Sequence, residues 1–375
     1  MGTPRGESTV RAIYLCGRPE KAPPSRDLRS HTLSKKVLLT IVIPALVAGL
    51  LSAPASGEAP GPGDPYASQQ WGLTRIQADR AWPVATGSGV TIAIVDTGVD
   101  LTHPDLVDKI VSLPDADFVA PKGGDTNGAQ DEDGHGTHVA GIAAATTNNG
   151  IGVAGVAPGA SILPVRVLVG DEGGSTSRIA AGIRYAADKG AQVINMSVSY
   201  NAPGHVDSIT GSMRPVHEAV SYALSKGAVV VASAGNDSLP VCAEPAAVSG
   251  VVCVGALDRS DRPAYYTNFD SRRSKSYLVA PGGDQALTCA NDILSTYLRG
   301  AARSCSSMDG YENMAGTSMA APFVSGVAAL LASKGLTNTA IVQCLMSTTD
   351  DLGPPGRDPV FGFGRVNALK AVSGC

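Results

Sequence analysis

The chain has 375 residues, of which 43% are apolar, 17% charged and 5% aromatic, with 29 Lys and Arg against 33 Asp and Glu. This composition suits a folded chain with a sizeable core and excludes a disordered or collagenous one. No cluster of Lys and Arg accompanies the mild acidity, which excludes nucleic acid as a partner, because phosphate binding needs concentrated positive charge.

Residues 1–55 differ from the rest. Lys35 and Lys36 precede an apolar run over 37–51, and Ala53-Pro54-Ala55 follows, giving the basic, apolar and small-residue regions of a secretory signal peptide in order. A run of about 15 residues is short for a membrane span, which takes about 20. The expectation is a secreted protein, cleaved near Ala55, with no stable membrane association afterwards; retention as an N-terminal anchor is the alternative. The polar stretch before Lys35 is long for such a segment, and a start codon placed too far upstream explains it. This leader holds 8 basic and 3 acidic side chains, leaving 21 against 30 and a formal −9 for the remainder. Residues 56–63 read as a short linker and 64–375 as one domain, expected to be monomeric.

Along that domain, continuous apolar runs of strand length alternate with helical patterns. Strands are predicted at 90–95, 162–169, 191–198, 228–232, 251–256 and 277–280, and helices at 138–145, 177–189, 215–226 and 319–333. Ile179, Ile183 and Ala186 recur at helical spacing, and Gly190, Gly227 and Gly335 stand where three helices should stop. The predicted fold is α/β: three layers, with a mainly parallel twisted sheet covered by helices on both faces.

Seven cysteines are present, of which Cys16 lies in the leader. The other six allow fifteen connectivities. Sequential pairing, Cys242 with Cys253, Cys289 with Cys305 and Cys344 with Cys375, is the first expectation because each closes a short local loop. Free buried thiols are the alternative, and none of the spacings is that of a zinc knuckle.

In sheets of this kind chemistry collects at the carboxyl ends of strands. Asp96 directly follows a predicted strand, Asn236 follows another through Ser233-Ala234-Gly235, and His135 and Ser318 stand at predicted helix starts. A serine hydroxyl needs a base within reach, whose imidazole must be held in one tautomer by a buried carboxylate. A helix start at Ser318 offers free N–H groups and a positive dipole end to an oxyanion, and the Asn236 amide is a second donor. Other readings of single residues carry less. An aspartic-protease role for Asp96 needs a second such carboxylate, and zinc on His135 and His138 lacks the H-E-x-x-H pattern. Asn195-Met196-Ser197 and Asn236-Asp237-Ser238 match the glycosylation sequon but lie beside these motifs.

The motifs DTGVD at 96–100, DGHGTHVAG at 133–141, SAGN at 233–236 and GTSMAAP at 316–322, in that order, closely resemble the subtilisin-like serine proteases. DPYA at 64–67, WGL at 71–73, TNNG at 147–150, AADKGAQVINMS at 186–197 and GRVNALKAV at 364–372 place the resemblance nearest the thermitase branch. It covers roughly 64–375 and implies an endopeptidase with Asp96, His135 and Ser318 as triad, Asn236 as oxyanion donor and an acyl-enzyme intermediate. An inactive binding homologue would lack one of these, and an esterase or peptide ligase would use the same machinery.

The resemblance further implies an extended polypeptide substrate pairing with Ser197-Val198-Ser199, and a specificity pocket walled by that segment and Ala232-Ser233-Ala234-Gly235. Ser199 departs from the family's usual glycine, the loop 200–214 is longer than in near relatives, and Glu244 falls near the pocket floor, which admits a preference for Lys or Arg. Calcium is also implied, on the side chains of Asp64, Asp105 and Asn149 and the carbonyls of Thr146, Ile151 and Val153, an oxygen set that suits Ca²⁺. The acidic stretch 117–133, with Asp117, Asp125, Asp131, Glu132 and Asp133, is either a second such site or a solvated loop. The family's usual pro-domain has no recognisable counterpart in the short stretch after Ala55.

Overall fold

In a computed structural model, the described residues are 9–10 and 63–375, except 112, 114, 120–127, 171–172, 201–211, 272–275, 286–287, 302–304 and 306–307. The signal-peptide reading with cleavage near Ala55, nearly all of the linker, Asp125 and most of the loop 200–214 therefore lie outside the described residues.

Six parallel strands form the central sheet: β1 (Thr91–Asp96), β2 (Ser161–Arg166), β3 (Val193–Met196), β4 (Val229–Ser233), β5 (Val252–Leu257) and β6 (Tyr277–Pro281). Their spatial order is β2-β1-β3-β4-β5-β6. A separate antiparallel hairpin pairs β7 (Ile293–Thr296) with β8 (Tyr311–Met314). The helices are α1 (Trp71–Arg75), α2 (Ala78–Ala81), α3 (His135–Ala144), α4 (Thr176–Asp188), α5 (Arg214–Ser225), α6 (Thr317–Ala332), α7 (Asn338–Ser347) and α8 (Ala368–Gly374). Thr9–Val10 also lies antiparallel to Gly174–Ser175.

The apolar runs are continuous because both sheet faces are covered. Ile92, Ile94, Val193, Val229 and Val231 join a core with Val139 and Ile142 of α3 and Val324 and Val327 of α6. The alternating residues Ala93, Val95, Ile194, Val230 and Ala232 join a second core with Ile179 and Ile183 of α4 and Val216 and Val220 of α5. Each fully buried Val or Ile contributes about 1.5–3 kcal/mol relative to an exposed one. Helices α4, α5 and α6 stop just before Gly190, Gly227 and Gly335, as expected. The hairpin and the short or C-terminal helices α1, α2, α7 and α8 were not among the predicted elements. Side chains of Thr337 and Asn367 cap α7 and α8 by accepting from Ala340 N and Lys370 N.

The disulfides are Cys242–Cys253, Cys289–Cys305 and Cys344–Cys375, the sequential pairing. Both edges of the sheet carry further chain: Ile110 and Asp117 bridge to Ile162 and Arg166 of β2, and Arg365 bridges to Val279 of β6. The chain leaves β1 for β2 on one side and returns to β3 on the other, so the crossovers diverge at the carboxyl end of β1. Asp96 is the last residue of that strand. Among the described residues no helix is long and apolar enough to cross a membrane.

Candidate active site

Asp96 is fully buried, and its Oδ1 lies 2.6 Å from His135 Nδ1 and accepts from Thr97 N at 2.8 Å. His135 opens α3, whose start is drawn onto the β1 turn by Gly136 N donating to Thr97 Oγ1 at 2.9 Å. That approach requires glycine, since a Cβ on Gly136 would stand 2.1 Å from the Gly98 carbonyl oxygen. Burial works to lower the His135 pKa, but the charge and hydrogen bond of Asp96, with Asp133 and Asp131 behind, outweigh it and hold the imidazole above its ordinary value.

His138, one turn further on α3, behaves oppositely. Burial pushes it down to about 3, and its Nε2 meets the carbonyl oxygens of Ile293 and Glu312, each at 3.0 Å. It is a neutral residue tying α3 to the β7–β8 hairpin, and its engaged Nε2 argues against a shared zinc with His135.

Parallel pairing of Ile94 with Asn195 carries the register on to place Asp96 beside Ser197, just past the end of β3. Ser318 is the second residue of α6. Its Oγ donates to the Ser197 carbonyl oxygen at 3.2 Å, and Ser197 Oγ donates to the Ser318 carbonyl oxygen at 2.7 Å. Asn236 follows β4, and its Oδ1 accepts from Thr317 N at 2.9 Å and Thr317 Oγ1 at 2.7 Å. Both acceptances fix the amide plane. A Cβ on Gly316, whose φ is +154°, would lie 3.4 Å from Asn236 Nδ2 and 3.6 Å from Ser318 N, so glycine keeps the space beside both nitrogens free of a side chain.

The segments expected to wall the specificity pocket also lie together. Ser197, Val198 and Ser199 lie along β3's continuation, and Ala232, Ser233, Ala234 and Gly235 run from the end of β4 into the following turn, all buried. Ser233 Oγ donates to the Val198 carbonyl, and Tyr200 and Glu244 exchange backbone hydrogen bonds. Asn268, for which no sequence signal stood out, holds the turn from the side: its Nδ2 donates to the Ala234 carbonyl and its Oδ1 accepts from Asp237 N and Leu239 N. Glu244 Oε2 lies 3.0 Å from His217 Nε2 on α5, an engagement that counts against a free carboxylate for a basic substrate residue.

A second cluster gathers the residues of the expected cation site. Asp64 Oδ1 accepts from Asn149 N and Gly150 N, while Asn149 Nδ2 donates to Asp105 Oδ1 and Val153 N donates to Asp105 Oδ2. Thr146 N donates to the Asp105 carbonyl, and Thr146 Oγ1 is buried without a hydrogen-bond partner; the Ile151 amide donates to Asn149 Oδ1. Burial raises the Asp105 pKa, and among the described residues neither Asp64 nor Asp105 has an ion-pair partner. No three His, Cys, Asp or Glu side chains converge among the described residues, so this set is two carboxylates with amide and carbonyl oxygens.

The acidic stretch 117–133 is engaged differently. Arg166, at the end of β2, pairs with Asp117 at 3.4 Å and Glu132 at 2.6 Å, while both Asp131 oxygens accept from the start of α3, at Gly134 N and Thr137 N. An arginine thus supplies the positive charge to two of the five acids.

The subtilase family model matches residues 87–364. Thermitase of Thermoactinomyces vulgaris is 42% identical over 312 residues, 83% of this chain and 99% of thermitase. A thermophilic serine proteinase of Bacillus sp. strain AK1 is 42% identical over 309 residues, 82% of this chain and 68% of that protein. Among solved structures, a protease of Pseudoalteromonas arctica PAMC 21717 is 36% identical with a TM-score of 0.70, covering 84% of this chain and 99% of its own. The chain belongs to the subtilase family and is a serine-type endopeptidase. Within the family its likeness is to the thermitase branch.

Proposed function

We propose that residues 64–375 form a secreted catalytic domain that cleaves extended polypeptides through an acyl-enzyme. The observation that carries this reading is the 2.6 Å bond between buried Asp96 and His135, with Ser318 at the start of α6 and Asn236 after β4. Ser318 Oγ attacks the scissile carbonyl while His135 takes its proton, and Asp96 holds the imidazole in the tautomer that exposes Nε2 as base. The developing oxyanion receives N–H from Asn236 Nδ2 and Ser318 N. His135 then gives its proton to the leaving amine, and water enters by the reverse sequence to release the acyl group. Substrate lies extended along Ser197-Val198-Ser199, with its specificity side chain against Ala232-Ser233-Ala234-Gly235.

Calcium fits the Asp64 cluster, because Asp64 and Asp105, both bonded to Asn149, are held by neutral N–H and O–H donors with no cationic side chain among the described residues to balance their charge. Asp64, Asp105 and Asn149 would hold it with the carbonyls of Thr146, Ile151 and Val153, the Asn149 amide turning its oxygen inward. Its contribution is to anchor the N-terminal arm.

A fluorophosphonate probe should label the wild type and not Ser318→Ala, and failure to label folded wild type would remove the proposed nucleophile. Digestion of a peptide library should show internal cleavage. Ester hydrolysis without peptide cleavage would favour an esterase on the same machinery.

A further inference from the structure

We propose that Ser325, Asn195 and Ser197 form a buried relay that positions Ser318 for attack. This rests on Ser318 being the nucleophile.

Asn195 lies inside β3 with no exposed surface, between Ile194 and Met196 in a strand that is otherwise apolar. Burying an amide there is costly unless it is hydrogen-bonded, and an aliphatic side chain would fill the strand without that demand. Its bonds lead to one place. Ser325 Oγ donates to Asn195 Oδ1 at 2.7 Å, Asn195 Nδ2 donates to Ser197 Oγ at 3.0 Å, and Ser197 Oγ donates to the Ser318 carbonyl at 2.7 Å. The polarity is set throughout: Ser197 Oγ accepts from the amide, so its single hydrogen is directed to Ser318. Such head-to-tail chains strengthen one another in a buried setting.

The terminal acceptor exists because of Pro322, which lies inside α6. In a regular helix the N–H of residue 322 would bond the carbonyl of Ser318, and proline has none. The carbonyl of the nucleophile's own residue is thereby released from the helix and taken by Ser197. Ser318 and Ser325 are two turns apart on one helix face, and Asn195 and Ser197 are two apart on one strand face. The relay therefore ties α6 to β3 at two heights. A slip of the helix along the strand would break the Ser325–Asn195 and Ser197–Ser318 bonds together. Ser325 and Asn195 act only through Ser197, as positioning residues.

The test uses the full chain with Ser197→Ala, Ser197→Thr, Ser325→Ala and the double Ser197→Ala/Ser325→Ala. Turnover of a peptide anilide is normalised to sites titrated by a fluorophosphonate, and melting temperature is recorded alongside. Expected is a fall in kcat of about ten-fold for Ser197→Ala with KM changed less than about two-fold, since displacement of the attacking atom acts on the chemical step. Ser197→Thr, which keeps the hydroxyl, should recover most of it. Ser325→Ala should cost about three-fold, and the double variant no more than Ser197→Ala alone, because the two residues act in series. Unchanged kcat per titrated site in Ser197→Ala, or additive losses in the double variant, would overturn the relay while leaving the nucleophile intact. Absence of labelling in the wild type would overturn the nucleophile and the relay with it.

Discussion

Ser197 and Ser318 hold each other reciprocally: each hydroxyl donates to the other's backbone carbonyl, at 2.7 and 3.2 Å. The first of these bonds exists because Pro322 cannot use the Ser318 carbonyl. Pro322→Ala restores the competing helix N–H. Since proline inside a helix costs about 3 kcal/mol relative to alanine, the variant should melt no lower than wild type while its kcat falls several-fold. Calorimetry with site-titrated turnover checks both halves, and unchanged kcat would show that the carbonyl is not contested.

The pH profile follows from His135. Its folded-state pKa is raised, so the Asp96 pair contributes stability that is fully present below the ordinary imidazole value and is lost as pH rises through the folded one. Catalysis has the opposite sign, because the base must be neutral. The acid limb of kcat/KM should therefore lie above about 6.5. Asp133→Asn, which removes one of the charges raising the imidazole, should move that limb to lower pH. A wild-type limb at or below the ordinary value would contradict the account.

Removal of Asn236 should act on the transition state. Asn236→Leu is expected to lower kcat by about 10²–10³-fold with little change in KM, the range typical for loss of one oxyanion donor. Thr317→Ala removes one of the two bonds that fix the amide plane and should produce a smaller loss in the same direction. Steady-state kinetics on a peptide anilide measures both.

Chelation should lower the melting temperature through the Asp64 and Asp105 cluster, because a ligand that binds only the folded state stabilises it by mass action. Asp105→Asn should melt lower in calcium and lose most of its response to chelator. Equal melting curves with and without chelator, and no metal by elemental analysis, would remove calcium from this site.

The Cys344–Cys375 disulfide closes a separation of 31 residues and ties α7 to the last residue of the chain. Loop-closure entropy assigns such a bridge about 3–4 kcal/mol. Cys344→Ala/Cys375→Ala should lower the melting temperature by several degrees with kcat per titrated site unchanged, which thermal melts and titrated turnover test together.

Much of this molecule is legible in its sequence because the physics is local or repetitive. Val229, Val230 and Val231 are all apolar because a parallel strand meets a core on each side, and the carboxyl ends of β1 and β4 stand out because Asp96 and Asn236 interrupt that pattern there. The hairpin β7–β8 was not legible: Ser295 and Thr296 spend their hydroxyls on the carbonyls of His138 and Thr137, more than 150 positions earlier. Asn195 carried a visible signal, a polar residue in an apolar run, but its partner Ser325 is joined to it only by the packing of α6 on β3. The acidic stretch before His135 is ambiguous in sequence for the same reason, since Arg166 reaches Asp117 from the neighbouring strand.

The bridges from Ile110 and Asp117 to β2 and from Arg365 to β6 have a consequence for a protease that is proposed to bind extended chains. An exposed sheet edge accepts any unfolded segment, including those of damaged copies of the same enzyme. Here the chain itself bridges both outer strands at these positions, which leaves less free edge for strand-like guests outside the segment after β3, where cutting is proposed to occur. Capture without cleavage, the first step toward fibrous aggregates, is thereby denied its usual foothold at the margins of the sheet.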